Sequence, residues 1–168
     1  KEQIANSPSL VFANGKSLDK IQADDVERWR SDFDGVIFAV NRFWETSLGV
    51  QIEPDFLVLS DPLYRPSKNS RLTNQLREYL ESNPEIKILT PHTWKPEISK
   101  VFSNNAYYFN DYSLELFSKN TKPWRPRGYT TGTAFKALAI AANLTSSTRI
   151  IGFDNDFFRS LHSNKDNE

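Results

Sequence analysis

Six short apolar runs recur along the chain, separated by polar or helix-patterned stretches: Ser9 to Ala13, Gly35 to Val40, Phe56 to Ser60, Ile86 to Thr90, Ala106 to Phe109 and Arg149 to Phe153. Most are continuously apolar, as expected of strands covered on both faces of a sheet. Helical periodicity fills two of the gaps. In Arg71 to Ser82, Leu72, Leu76, Tyr79 and Leu80 fall on one helical face; in Thr131 to Asn143, Ala134, Leu138, Ala141 and Ala142 do the same, and Phe135 and Ala139 widen the stripe. Asp24-Asp25 ahead of Val26, Trp29 and Phe33 predicts a short helix with an acidic first turn. Strand alternating with helix in this order predicts an α/β fold, a Rossmann-like, mainly parallel sheet with helices on both faces. Such sheets bind ligands beyond the C-terminal ends of their strands, and polar residues collect there in this chain.

Two junctions have the makings of an anion site: Asn14-Gly15-Lys16-Ser17-Leu18 after the first run, and Tyr129-Thr130-Thr131-Gly132-Thr133-Ala134 before the last helical pattern. Each places small hydrogen-bonding residues where free backbone N–H groups meet the positive end of a helix dipole. Arg125 and Arg127, just upstream of the second, are ready to neutralise a carboxylate or phosphate. Ser17 is expected to cap a helix, and a Ser/Thr cap explains part of the threonine cluster. Asn14-Gly15 also reads as a hairpin turn, although no alternating partner strand follows it. Asn41, directly after the second run, either reads a base or ribose edge with its amide or caps the Phe43-Trp44 turn. Asp61, in Ser60-Asp61-Pro62, either contacts a sugar or ribose hydroxyl or satisfies its own turn. The three-glycine dinucleotide fingerprint and the Walker-type loop are both missing, which argues against a standard NAD site.

Lys plus Arg and Asp plus Glu each number 21, so zero net charge provides no broad attraction for nucleic acid. The lack of Cys excludes disulfides, Cys-ligated zinc and thiol catalysis. With 12 Phe and 4 Trp the chain can bury the core of one folded domain over residues 1–168. No apolar run approaches the roughly 18 residues of a membrane span. A cytoplasmic protein, at most peripheral to the inner face of the membrane, is expected. The chain starts at Lys1, contains no Met, and ends in a polar stretch from Asp154 that closes no element; it is expected to be a piece of a longer protein, truncated at its C-terminus.

The only histidines are His92 and His162. Either titrates near neutral pH as a general base requires; His162, which follows the last strand, is the catalytic candidate, and His92 reads as a loop residue. Asp154 and Asp156 have the spacing of turn chemistry as well as of metal ligands, and no metal is expected. Tyr107-Tyr108-Phe109, Tyr112 and Trp124 offer stacking surfaces to an acceptor sugar, or simply pack a sheet edge.

In their order along the chain these motifs resemble the bacterial lipooligosaccharide-type sialyltransferases. That family ends its first strand in Gly-Asn-Gly-Pro-Ser-Leu, here Ala13-Asn14-Gly15-Lys16-Ser17-Leu18. Its second ends in Asn before an aromatic pair, here Asn41 with Phe43-Trp44, and its third in Asn-Pro, here Asp61-Pro62. Its Thr-Ser-Gly helix start and Gly-Ile-Asp strand end are matched by Thr130-Thr131-Gly132 and Gly152-Phe153-Asp154. The resemblance implies a metal-independent glycosyltransferase that takes a CMP-sugar donor and a surface glycan or glycolipid acceptor, needs no separate cofactor, and leaves self-association open. Asn14, Gly15, Asn41 and Asp61 would line the donor site. Thr130, Thr131 and Gly132 would hold the sugar's carboxylate and glycerol side, and Asp154 would sit near the cytidine or brace the loop. Inversion through an oxocarbenium-like transition state needs a base for the acceptor hydroxyl and a stabiliser for the departing phosphate. The chain departs from the family at Lys16 and Asp61, it ends before the distance at which the family's histidine is expected, and the family's two tyrosines are not evident in Asn155 to Glu168. Two other readings are a hydroxymethylpterin-type pyrophosphokinase, with ATP and magnesium on Asp61 and Asp154, and a non-catalytic nucleotide-sugar-binding module.

Overall fold

The alternation of apolar runs and amphipathic stretches builds one sheet with helices on both faces. The computed structural model describes residues 2–102, 105–110 and 132–154. In chain order the elements are α1 (Glu2–Ala5), β1 (Pro8–Phe12), α2 (Ala23–Phe33), β2 (Val36–Val40), α3 (Ser47–Gln51), β3 (Phe56–Val58), α4 (Ser70–Ser82), β4 (Lys87–Pro91), α5 (Lys95–Val101), β5 (Ala106–Phe109), α6 (Thr133–Leu144) and β6 (Ser147–Ile151). Short 3₁₀ turns follow the ends of β1, β2, β3 and β4. All pairings are parallel, and the six strands lie in the order β5-β4-β3-β2-β1-β6. From β1 to β5 the chain steps one way across the sheet; it then returns along α6 to add β6 beside β1. Because parallel crossovers are right-handed, that reversal places α6 on the opposite face from the earlier helices.

The period-2 alternation of the strands feeds two separate cores. Leu10, Phe12, Ile37, Ala39 and Leu57 face one way, against Val26 of α2, Leu76 and Leu80 of α4 and Ile98 of α5. Val11, Ala13, Phe38, Val40 and Val58 face the other way, against Ala137, Ile140 and Ala141 of α6. Both faces of the central strands are covered, which explains their unbroken apolar runs. In α4, the predicted stripe points inward at Leu76 and Leu80, each buried leucine contributing about 1.5–3 kcal/mol. Alanines dominate the inner face of α6, which lets that single helix lie close over β1 and β2.

Boundaries differ from expectation by one residue at β1, β2 and β4, and by two at β3 and β6. β6 starts and ends two residues earlier than its apolar run, because Ser147 pairs with Pro8 and the left-handed Gly152 (φ 72°) ends it. Its polar start is held by the buried Ser9 hydroxyl, 2.8 Å from that of Thr145 and 2.9 Å from that of Thr148. β3 stops at Val58, after which Ser60 turns toward α6. Among the described residues no helix is long and apolar enough to cross a membrane.

Candidate functional site

Beyond the C-terminal ends of β1, β2 and β3 lies a cavity of about 540 Å³. One wall carries Asn14, Asn41 and Asp61, each just past the end of its strand; the other carries Asn69, Arg71 and Gln75 from the start of α4, with Tyr64 between. Three residues predicted to bind a donor are therefore brought together. The α4 wall was not anticipated from sequence.

Asn41 is fixed with unusual care. It sits at φ 46°, in the left-handed region, which costs an ordinary side chain roughly 1–2 kcal/mol and Asn less. Its amide nitrogen donates to Thr133 Oγ1 at 3.1 Å, and the buried Thr133 hydroxyl lies 2.8 Å from that of Ser60. The start of α6 is thereby tied to the ends of β2 and β3. The Asn41 side-chain oxygen Oδ1 is buried on the cavity wall without a hydrogen-bond partner among the described residues. The alternative role, capping the next turn, is not taken: Asn41 is the first residue of the turn Asn41–Glu45, which has no side-chain cap.

Asp61 does satisfy its own turn, its Oδ1 accepting from the Leu63 amide at 3.0 Å, while still lining the cavity. Lys16 does not line that cavity and supplies no counter-charge to Asp61 there. Arg42 is bound to Glu45 on the same rim, and that carboxylate raises its pKa, chiefly through the hydrogen bond. Burial is the main cause pushing the Tyr64 hydroxyl well above its ordinary pKa, so it stands as a neutral donor. The Trp44 indole lies beside it, but among the described residues neither polar group has a partner in hydrogen-bonding geometry.

The turn after β1 does not present the free anion site read from its sequence. Gly15 N–H donates to the Gly152 carbonyl at 2.7 Å, and Ser17 N–H donates to the Asp154 carboxylate. The anion at this turn is the protein's own, and the Ser17 amide is the main cause lowering the pKa of Asp154. Ser17 caps nothing: the N-cap is Gly15, with no side-chain bond, and Ser17 lies inside the turn Lys16–Lys20. Asp154 thus braces the loop, one of its two expected roles. Gly15 faces Asp154 and Gly152 rather than the cavity; a Cβ there would lie 2.5 Å from the Gly152 oxygen.

At the second junction the expected threonine cap is absent, because the N-cap of α6 is Gly132, exposed and without a side-chain bond. Thr133 instead points its hydroxyl inward, a positioning role that reading the cluster as ligand contacts overlooked. Thr130, Thr131, Arg125, Arg127, Tyr112, Trp124, Asp156 and the candidate base His162 lie outside the described residues. His92 is exposed at the end of β4, edge-on to Tyr108 at 6.3 Å between ring centroids, and does not line the cavity.

A carboxylate clamp holds the segment between β3 and α4. Glu97 of α5 accepts from Arg65 Nε at 3.1 Å and from the Ser67 amide at 3.2 Å. The Arg65 hydrogen bond above all, then Ser67, lowers its pKa to about 2. A depressed carboxylate pKa adds stability above the unfolded-state value, and this is lost as pH falls toward the folded one. Solvent screens so exposed a pair, which makes local titration the sensitive readout. In a carbon-detected NMR titration Glu97 is expected to titrate near about 2. Arg65→Gln should move that midpoint up toward an ordinary glutamate value; an unchanged midpoint would remove the clamp.

No protein-family model matches the chain, and no curated protein or solved structure matches it. The fold defines a parallel α/β protein with a polar crevice at its strand ends; function is argued from that crevice.

Proposed function

We propose that the protein is a glycosyltransferase that binds a nucleotide-sugar at the ends of β1, β2 and β3 and transfers the sugar to a glycan acceptor. The convergence of Asn14, Asn41 and Asp61 on one cavity carries this reading. Four carboxamides line it: Asn14, Asn41, Asn69 and Gln75. A carboxamide offers donors and an acceptor on one planar group, the complement of a sugar hydroxyl, which is itself both. A mostly polar crevice at the strand ends of a parallel sheet suits a sugar or nucleotide better than an apolar metabolite. The buried Asn41 side-chain oxygen, without a partner among the described residues, has lone pairs free to accept from a ligand hydroxyl or amine.

In this reading the strand-end wall orients the donor. Asp61 lines the cavity and makes no ion pair with a described residue, which supports it as the base that would accept the acceptor's proton, a role otherwise falling to His162. Neutral donors of the strand-end wall, such as the Asn14 carboxamide, would stabilise charge on the departing phosphate. The donor nucleotide is taken as cytidine monophosphate, on the sequence resemblance. A location at the inner face of the membrane, and self-association, belong to the same proposal.

Thermal unfolding of the full chain with cytidine and uridine monophosphates, and with ATP with and without magnesium, tests it. A native-state ligand at a hundredfold excess over its Kd adds about 2.7 kcal/mol, a rise in Tm of roughly 5–10 °C. Stabilisation by a cytidine nucleotide without metal, lost in Asn14→Ala, is expected. Stabilisation by ATP with magnesium alone would establish the pyrophosphokinase instead, and no nucleotide effect would overturn the donor site.

A further inference from the structure

We propose that the α4 wall of the cavity selects a second substrate carrying an anionic group, an acidic saccharide rather than a neutral one. This rests on the transferase reading and deepens it. Arg71 lies in the first turn of α4, where a helix dipole disfavours a cation. It lines the cavity together with two carboxylates, yet neither holds it: Glu45 is bound to Arg42, and Asp61 accepts from Leu63. Among the described residues Arg71 has no ion pair, so its planar fork of donors is open to a carboxylate or phosphate.

A second observation points the same way. Tyr64 lines the cavity, is only 4 % exposed, and among the described residues its hydroxyl has no partner in hydrogen-bonding geometry. A buried hydroxyl without a partner is costly, and a ligand oxygen would relieve it. Asn69 uses its Oδ1 to cap α4 through the Leu72 amide at 3.0 Å, which leaves its amide nitrogen as a further donor on that wall. Gln75 lies one turn beyond Arg71 on the same side. The α4 wall is thus rich in donors and carries the cation Arg71, and Asp61 stands on the strand-end wall. An acidic group held at Arg71 leaves the sugar's hydroxyls free to reach Asp61, which sets its orientation.

The test is calorimetric titration of the full chain with glucuronate, glucose phosphate, neutral glucose and inorganic sulfate, with and without saturating cytidine monophosphate. One or both acidic sugars should bind about tenfold more tightly than glucose, the scale of one charge-assisted contact. Their relative affinities distinguish carboxylate from phosphate. The preference should persist with nucleotide bound, vanish in Arg71→Gln, and return in part in Arg71→Lys. Equal affinity for glucuronate, glucose phosphate and glucose, or sulfate binding as well as the acidic sugars, would overturn it. Loss of nucleotide binding in Arg71→Gln would assign the guanidinium to the donor phosphate and overturn it too. If the wild-type protein binds nucleotide but shows no acid preference, this inference alone falls; if it binds no nucleotide, the transferase reading falls with it.

Discussion

Thr133→Val should abolish most nucleotide binding while leaving the fold in place. Valine keeps the shape of threonine and removes only the hydroxyl. That hydroxyl accepts from the Asn41 amide and lies 2.8 Å from the Ser60 hydroxyl, and among the described residues neither of those two groups has another hydrogen-bond partner. Leaving a buried polar group without its partner costs about 1–3 kcal/mol, and each kcal/mol lowers Tm by about 2–4 °C in a chain of this size. The larger effect falls on binding. Freed from Thr133, the Asn41 carboxamide is able to rotate, and its oxygen no longer faces a ligand in one direction. Each 1.4 kcal/mol so lost is about tenfold in Kd, and a ten- to hundredfold weakening for cytidine monophosphate is expected. Thr133→Ser, which restores the hydroxyl, should recover most of it. If Thr133→Val lowers Tm but leaves Kd unchanged, the Thr133 link serves the fold alone and Asn41 is not a ligand contact.

The strand-end residues can be read from the sequence, whereas the Thr133 brace behind them cannot. Asn14, Asn41 and Asp61 were legible because each follows an apolar run, and in a parallel sheet the end of every strand faces the same crevice. The periodicity that revealed α4 and α6 also predicted which residues of α4 point inward. Arg71, Asn69, Gln75 and Tyr64 were not legible as site residues, since their nearness to Asn41 depends on how α4 packs over the sheet. The same holds for Ser17 and Asp154, 137 positions apart in the chain and joined only because β6 lies beside β1. A Thr-rich helix start reads equally well as a cap, a ligand cradle or a buried brace. Thr133 is the brace because β2 and β3 end beneath it.

The turn after β1 offers the sharpest choice between a glycine kept for a ligand and one kept for the fold. A Cβ on Gly15 would stand 2.5 Å from the Gly152 carbonyl and 2.7 Å from the Asp154 carboxylate. A Cβ on Gly152 would stand 2.7 Å from Leu18 and 3.0 Å from the Ala13 carbonyl, at a φ of 72°. Gly15→Ala should therefore cost about 1–3 kcal/mol, as overpacking does. Gly152→Ala adds the left-handed penalty and should reach about 2–5 kcal/mol, a fall in Tm on the order of 10 °C. Asp154→Ala removes the flexible part of the Gly15 clash but not the carbonyl, so the double variant Gly15→Ala with Asp154→Ala should stay destabilised. Because the rigid obstacle is backbone, the defect should appear in thermal unfolding without any ligand present. Were Gly15→Ala to leave Tm unchanged and weaken only nucleotide binding, the turn would be a phosphate cradle after all, with Asp154 a stand-in that the ligand displaces.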